Sequence, residues 1–338
     1  MTTYTNNAEI LDCTLRDGSY ANHFQFTAHD TKNISIGLEK AGIRRIEVGH
    51  GLGVGINSPK LGVPFENDID YLTAAKNAVS NSKIGAFYIP GLGELKSLRG
   101  LIDLKLLDFV RVGVDVTEIE KARIISEEIL SKGIEVHLNL MKTYALPVEE
   151  ILSKLENFKG LDLESIYVVD SSGSMLPDQV KTYVSEIYKD GWKVGFHGHN
   201  NLQLANANCI QAIDAGATYV DGTLTGVGRS AGNAQTEILS LIVPSENSNS
   251  KIDVFALFDI IERFIKPLFG ESQGVEIMDI VIGMSKLHSG FLPLFKRVMG
   301  KYDVNLYRLI QLVSEVDSIN PSEELIESIA KDLRRTDG

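Results

Sequence analysis

Two histidines stand one residue apart in the stretch GFHGHNN, as His197 and His199. In an extended strand, side chains two residues apart point to the same side, so both imidazoles could bind one divalent ion. The alternative is a pair of hydrogen-bonded core histidines. Asp17, in LDCTLRDG, would supply an anionic third ligand. Two imidazoles and one carboxylate leave coordination positions open for water and substrate, so the spacing predicts a catalytic metal centre.

Other polar residues could act beside such a centre. Arg16 precedes Asp17 and could stabilise a developing oxyanion, although an Arg-Asp pair can also be a simple salt bridge. Glu47 could orient Arg16 or a metal-bound water, and the alternative is a buried carboxylate paired with a neighbouring arginine. Ser171 and Asn233 are weaker candidates, since such side chains often cap turns and helices.

A lysine that forms a Schiff base is the other route to aldol chemistry in a barrel. The apolar run SIYVVDS, at 165–171, contains no lysine. Lys142 follows another such run, but the sequence offers no obvious partner that would lower its pKa. The metal-dependent route is therefore the favoured interpretation.

Short apolar runs alternate with amphipathic stretches and would position these residues. Eight runs are predicted strands, at 9–15, 43–49, 83–89, 107–113, 134–140, 165–171, 193–198 and 218–224. Several of the intervening stretches end on glycine, which suits the left-handed residue that follows a helix: Gly42, Gly133, Gly191 and Gly216. Eight such repeats predict a (β/α)8 TIM barrel, whose active site lies at the C-terminal ends of the strands. A doubly wound open sheet is disfavoured, because no phosphate-binding glycine fingerprint follows the first strand.

The pattern changes after about residue 245. The polar stretch PSENSNSK, at 244–251, reads as a linker, and the chain beyond it is mostly helical in character. We therefore expect two domains: a barrel at 1–248 and a small helical C-terminal domain at 249–338.

Composition limits the classes of partner. The 338 residues carry a net charge of −12, which disfavours nucleic acid and anionic membranes. No signal-peptide pattern and no apolar run of membrane-spanning length occur, so we expect a cytoplasmic protein. The two cysteines, Cys13 and Cys209, are expected to be buried free thiols.

The motif set resembles the metal-dependent TIM-barrel aldolase/lyase superfamily. DCTLRDG and HGHNN match its hallmarks after strands 1 and 7. IEVGHGLGVG at 46–55, VVDSSGSMLP at 168–177, the stretch 214–237 and the helical tail are similar to the 4-hydroxy-2-oxovalerate aldolase family within it. The resemblance covers most of the chain.

The resemblance implies roles for individual residues. Asp17, His197 and His199 would be metal ligands, and Arg16 would stabilise the pyruvate enolate. Glu47 and His50 match the strand-2 motif, and Asn233 matches a position near the metal.

Two residues depart from the family pattern. Tyr20 stands where the family has a catalytic histidine, and His288, in HSGFL, stands where the family has an active-site tyrosine. Either the acid/base pair has exchanged its roles or the substrate differs.

We therefore expect an aldolase that cleaves or forms a 4-hydroxy-2-oxo acid, giving pyruvate and an aldehyde through a metal-bound pyruvate enolate. Mn²⁺ is the preferred ion, with Mg²⁺, Co²⁺ or Zn²⁺ as alternatives. The alternative functions are a Claisen-type synthase or lyase acting on acyl-CoA, and a non-catalytic barrel scaffold. The helical tail implies either an acylating aldehyde dehydrogenase partner or a homodimer.

Overall fold

A computed structural model of the chain describes residues 8–56, 58–243, 252–270 and 277–337. Its central feature is a closed barrel of eight parallel strands in sequence order. The strands are β1 Glu9–Asp12, β2 Arg45–Glu47, β3 Lys83–Tyr88, β4 Phe109–Asp115, β5 Glu135–Met141, β6 Ser165–Asp170, β7 Val194–Gly198 and β8 Tyr219–Gly222. Each overlaps one of the eight predicted apolar runs, so the predicted (β/α)8 fold is confirmed.

Closure of the barrel brings distant parts of the sequence together. β1 pairs with β8, with Ile10 opposite Val220, and β8 pairs with β7, with Phe196 opposite Val220. Only β8 therefore separates the residues that follow β1 from the histidines at the end of β7. The fold places these two segments at the same end of the barrel, where active sites of this architecture lie.

Large and small side chains fill the barrel interior in alternation. A Cβ atom on Gly85 would lie 2.2 Å from the ring of Phe109, and one on Gly113 would lie 2.2 Å from the ring of Phe87. These glycines leave room for the neighbouring rings, because a packed interior holds no spare volume. Arg111 and Tyr167 are also fully buried between the strands.

Helices surround the barrel. They are α1 Ala28–Ala41, α2 Asp68–Ala78, α3 Leu95–Asp103, α4 Arg123–Ser131, α5 Val148–Leu155, α6 Pro177–Lys189, α7 Ala205–Asp214 and α8 Thr236–Ile242. All four glycines predicted to follow helices have positive φ, at 100° for Gly42, 75° for Gly133, 95° for Gly191 and 108° for Gly216. Glycine meets this requirement without the steric cost of a Cβ atom.

The remaining helices divide between two hydrophobic cores. They are α9 Val254–Ile260, a π-helical turn Ile261–Ile265, α10 Lys266–Phe269, α11 Ile277–Met284, α12 Leu292–Tyr302, α13 Leu306–Val316 and α14 Glu323–Asp337. Leu257, Ile260 and Ile265 pack into the core of the barrel, whereas Phe295, Val313 and other apolar residues of α11–α14 form a separate core. The predicted linker at 244–251 and the domain boundary at 248 lie outside the described residues. From this packing we propose that the barrel unit extends to about residue 270.

The second core sits over the C-terminal ends of the strands. Lys142, after β5, donates through Nζ to the Asn320 side chain at 2.8 Å and to the Ile319 carbonyl at 3.1 Å. Ser230, after β8, donates to Asp279 in α11 at 2.9 Å. The helices α11–α14 therefore cover the mouth of the barrel.

Two further sequence expectations can be compared with the structure. Cys13 and Cys209 are both buried and free. Within the described ranges, no helix is both long enough and apolar enough to cross a membrane.

Candidate active site

The three proposed metal ligands meet at the mouth of the barrel. Asp17 begins a 3-10 turn just after β1, His197 lies in β7, and His199 follows it. One donor atom from each residue lies within 4.8 Å of the other two, and all three side chains are buried. The structure thus brings together the three residues that the sequence pointed to as a metal site.

Hydrogen bonds orient both imidazoles. Nδ1 of His197 lies 2.8 Å from Oδ2 of Asp221, and Nδ1 of His199 lies 3.2 Å from the Gly232 carbonyl. Since a carbonyl only accepts, Nδ1 of His199 carries the proton and Nε2 keeps its lone pair; the Asp221 contact favours the same tautomer for His197. Burial lowers the pKa of His199 to about 4, which keeps this imidazole neutral at pH 7.

The carboxylate of Asp17 is held from both sides. Nη1 of Arg16 donates to Oδ1 at 2.7 Å, and Nδ2 of Asn233 donates to Oδ2 at 2.6 Å. Burial alone would raise the pKa of Asp17, but its neighbours, Arg16 foremost and Asn233 among them, hold it well below its usual value. A Cβ on Gly228 would lie 2.1 Å from Nδ2 of Asn233, so glycine is required there for this contact.

The donor set fits a divalent ion. Two imidazole nitrogens and one ionised carboxylate suit Mn²⁺, Co²⁺ or Zn²⁺ better than Mg²⁺. Oδ1 of Asn233 is buried beside Asp17 and has no hydrogen-bond partner among the described residues, so it is available to a bound water or substrate. A second group, Cys13 with His197 and Asp221, is close enough to bind an ion, but the guanidinium of Arg111 contacts both Cys13 and Asp221.

Arg16 presents a fixed positive charge next to the ligands. Its Nε donates to Oε2 of Glu47 at 2.7 Å, and its guanidinium lies 4.9 Å from the centre of the Phe87 ring. These contacts explain the position of Glu47, which the sequence suggested as a residue that orients Arg16. A buried guanidinium held in this way can stabilise an oxyanion without reorganising.

A chain of buried charges links Arg16 to the ligand His197. Arg111 donates to Oε2 of Glu47 at 3.0 Å and to Oδ2 of Asp221 at 2.5 Å. Asp221 then contacts His197. Burial would raise the pKa of Asp221, but Arg111 and His197 lower it below its usual value. The carboxylate therefore stays ionised, and its charge favours the ligand tautomer of His197.

Tyr20 and His288 lie on the side of the site that the C-terminal helices cover. The guanidinium of Arg229 lies 5.0 Å from the centre of the Tyr20 ring, and its Nε donates to Oγ of Ser289 at 2.7 Å. His288 precedes Ser289 and accepts from the Gly290 amide at 3.3 Å. Burial, reinforced by the positive charges of Arg229 and Lys142, holds the pKa of His288 well below its ordinary value.

Two other predicted residues, His50 and Ser171, accept hydrogen bonds from backbone amides of loops. His50 stacks on Phe24 with ring centres 4.0 Å apart and accepts from the Leu52 amide at 3.1 Å. No hydrogen bond joins it to the ligands in the described part of the chain. Ser171 accepts from the Lys142 amide at 2.9 Å and so fixes the loop after β5. Substrate contact by His50 or Ser171 stays a prediction.

Sequence reasoning missed three residues of the site: Arg111, Asp221 and Arg229. A signal was available for the first two, because a charged residue inside an apolar strand run must find a buried partner. Arg229 lies in a loop after β8, where neither hydrophobic period nor spacing indicates the direction of the side chain.

Comparisons with known proteins agree with this geometry. A family model described as HMGL-like matches residues 109–264. The chain is 34% identical over 334 residues to "4-hydroxy-2-oxovalerate aldolase 2" of Nocardia farcinica, covering 98% of this chain and 96% of that protein. It is 37% identical over 331 residues to "4-hydroxy-2-oxovalerate aldolase 4" of Rhodococcus opacus, covering 96% and 93%.

A third curated relative has a different name. "Oxaloacetate decarboxylase" of Mycobacterium tuberculosis is 36% identical over 283 residues, which is 83% of each chain.

Solved structures share the architecture. The N-terminal domain of a proposed aldolase from Bacteroides vulgatus matches with a TM-score of 0.73 and 29% identity, over 87% of this chain and 98% of that one. The carboxyl transferase domain of Rhizobium etli pyruvate carboxylase, solved with pyruvate, matches with a TM-score of 0.75 over 98% of this chain and 62% of that one. At 13% identity, the second match concerns the fold alone.

Proposed function

Because the chain belongs to the HMGL-like superfamily and to the 4-hydroxy-2-oxovalerate aldolase family within it, and is thus a carbon–carbon lyase, we propose that it cleaves a 4-hydroxy-2-oxo acid to pyruvate and an aldehyde. The observation that carries this proposal is the convergence of Asp17, His197 and His199 beside the guanidinium of Arg16. The same site would form the aldol in the reverse direction.

Members of this family depend on a divalent metal, and we propose Mn²⁺ as the ion here. Asp17, His197 and His199 would hold it. When bound, the ion supplies a Lewis acid that polarises the 2-oxo group of the substrate. Two imidazoles and a carboxylate can hold Mn²⁺, as they can Co²⁺ or Zn²⁺.

Arg16 would stabilise the charge that develops during cleavage. The proton of the 4-hydroxyl leaves, the C3–C4 bond breaks, and its electron pair moves into the enolate of pyruvate. Protonation of C3, by the proton that the 4-hydroxyl gave up or by one from solvent, then gives pyruvate. Glu47 and Asp17 fix the guanidinium of Arg16 from two directions, so its charge is in place before the oxyanion forms.

His288 is the proposed acceptor of the hydroxyl proton. Its lowered pKa leaves the imidazole neutral at pH 7, with the lone pair on Nδ1; this atom would exchange its 3.3 Å contact with the Gly290 amide for the hydroxyl proton. Tyr20 has a raised pKa, chiefly because of burial, and therefore keeps its hydroxyl proton. It would donate a hydrogen bond rather than accept a proton, which supports an exchange of roles between these two positions.

A second candidate function is the decarboxylation of oxaloacetate. It is favoured by the relative that carries this name. The loss of CO₂ from oxaloacetate also leaves the enolate of pyruvate, so Arg16 and the ion would have the same roles in both reactions.

A coupled assay tests the proposal. Chelator-treated protein is supplied with Mn²⁺ and either a panel of 4-hydroxy-2-oxo acids or oxaloacetate, and pyruvate is followed with lactate dehydrogenase. We expect Mn²⁺-dependent pyruvate formation from at least one hydroxy acid, faster than from oxaloacetate. Pyruvate from oxaloacetate alone would favour the decarboxylase. Equal rates of pyruvate formation with added Mn²⁺ and with the chelator present in the assay would contradict the metal-dependent mechanism.

A further inference from the structure

Arg229 differs from the other cations near the mouth of the barrel in the groups that it contacts. Arg16 contacts the carboxylates of Asp17 and Glu47, and Lys142 lies 3.0 Å from Asp115. The guanidinium of Arg229 instead meets neutral groups, Oγ of Ser289 at 2.7 Å and the hydroxyl of Tyr20 at 3.5 Å. Among the described residues, no aspartate or glutamate forms a salt bridge with it.

This charge is partly withdrawn from water. Arg229 is partly buried, with its guanidinium over the Tyr20 ring and beside Ser289 of the covering helical unit. A Cβ on Gly290 would lie 2.7 Å from Nη2 of Arg229, so the covering loop approaches the guanidinium closely. A partly desolvated guanidinium favours an anionic partner, and a carboxylate can meet its planar donor fork with two hydrogen bonds.

The position of Arg229 relative to Asp17 indicates which part of a substrate it would meet. The guanidinium of Arg16 donates to Oδ1 of Asp17, whereas the backbone amide of Arg229 approaches Oδ2 at 3.3 Å, so the two arginines approach different oxygens of this ligand. Arg16 is assigned to the pyruvate half. Arg229 lies with Tyr20 and His288, the groups assigned to the 4-hydroxyl.

We infer that Arg229 is a specificity-determining residue that binds a carboxylate on the aldehyde half of the substrate. The preferred substrates would then be 4-hydroxy-2-oxo dicarboxylic acids, and the aldehyde product would itself carry a carboxylate. This inference rests on the proposed aldolase function and names the substrate class of the same site. It also distinguishes cleavage from decarboxylation, because a carboxylate held in an ion pair is a poor group to expel as CO₂.

The test compares substrates that differ only in that carboxylate. The pairs are 4-hydroxy-2-oxopentanedioate with 4-hydroxy-2-oxopentanoate, and 4-hydroxy-2-oxoheptanedioate with 4-hydroxy-2-oxoheptanoate. In the wild-type protein with Mn²⁺, we expect kcat/KM for the dicarboxylate to exceed that of its partner by at least about 10-fold in one pair, as one charge-assisted ion pair allows.

Variants then assign the preference to Arg229. Arg229→Gln should lower kcat/KM for the preferred dicarboxylate by about 10- to 100-fold more than it lowers kcat/KM for the matching monocarboxylate, and this extra loss should appear mainly in KM. Arg229→Lys keeps the positive charge but loses the planar pair of donors. Its kcat/KM for the dicarboxylate should lie between those of the wild-type protein and Arg229→Gln. Arg297→Gln is the matched control, because this exposed arginine lies in α12 and contacts Glu323.

The outcomes separate the two proposals. If the wild-type protein cleaves both monocarboxylates with the same kcat/KM as the matching dicarboxylates, the role of Arg229 is overturned. The aldolase function is not affected by that result. Equal losses for both classes in Arg229→Gln would also overturn it, since they would indicate that Arg229 only positions Tyr20. No pyruvate from any of the four acids would overturn the aldolase function itself and this inference with it.

Discussion

At the scale of single residues, the site depends on groups that are charged before the substrate arrives. Asp17 stays ionised because its neighbours, Arg16 foremost, outweigh the effect of burial on its pKa. Arg16 stays cationic because Glu47 and Asp17 raise its pKa against the opposing effect of burial. Each charge is therefore maintained by its neighbours, and the loss of one should affect the site more than the fold.

Arg16→Ala should lower kcat by about 10²- to 10³-fold, because removal of one group that stabilises an oxyanion has an effect of this size. Glu47 would still contact Arg111 at 3.0 Å, so the fold should persist. Steady-state pyruvate formation measures the loss, and circular dichroism checks the fold. Arg297→Ala is the control, since this arginine is exposed and paired with Glu323. Full activity in Arg16→Ala would contradict the role of the guanidinium.

The pH dependence of the reaction should report on His288. Burial and the positive charges of Arg229 and Lys142 lower its pKa, so the imidazole loses its role as proton acceptor only when the pH falls well below neutrality. We expect the acid limb of kcat/KM, measured with saturating Mn²⁺, to have its midpoint below the ordinary histidine value of about 6.5. A midpoint at or above that value would argue against His288 as the acceptor.

At the scale of elements, strand period and glycine placement define the barrel. The apolar runs were sufficient to predict all eight strands, and the left-handed glycines Gly42, Gly133, Gly191 and Gly216 were sufficient to predict the ends of the helices before them. The pairing of charged side chains inside the barrel could not be predicted from these patterns. Whether Arg111 faces Asp221 depends on the register and tilt of β4 and β8, which local sequence does not encode.

A pair of glycine substitutions tests the packing inside the barrel. Gly85→Ala should destabilise the fold by about 1–3 kcal/mol, because its Cβ would lie 2.2 Å from the Phe109 ring. Gly100→Ala, in α3, should instead stabilise by about 0.5–1 kcal/mol, since nothing lies within 4 Å of its Cβ and alanine favours a helix. Free energies of unfolding from denaturant titration measure both. Equal effects of the two substitutions would contradict the packing described.

At the scale of the whole molecule, the helices α11–α14 complete the site. They place His288 and Ser289 against Arg229, and Lys142 anchors them through Asn320. The sequence predicted that the tail is helical but not that it covers the barrel mouth, because contacts between residues 178 positions apart leave no local pattern. An aldehyde dehydrogenase partner and a homodimer both stay predictions, since neither is tested by the contacts within one chain.

The measurement that tests the central claim most directly is calorimetric titration of Mn²⁺ into the chelator-treated protein, with no substrate present. The wild-type chain should bind one ion, and His199→Ala should bind it at least about 100-fold more weakly, because a ligand that defines the site is lost. A His23→Ala variant is the control, since this histidine is outside the ligand set. Equal affinity of the wild-type and His199→Ala proteins, or no binding by either, would contradict the convergence of Asp17, His197 and His199 on one ion.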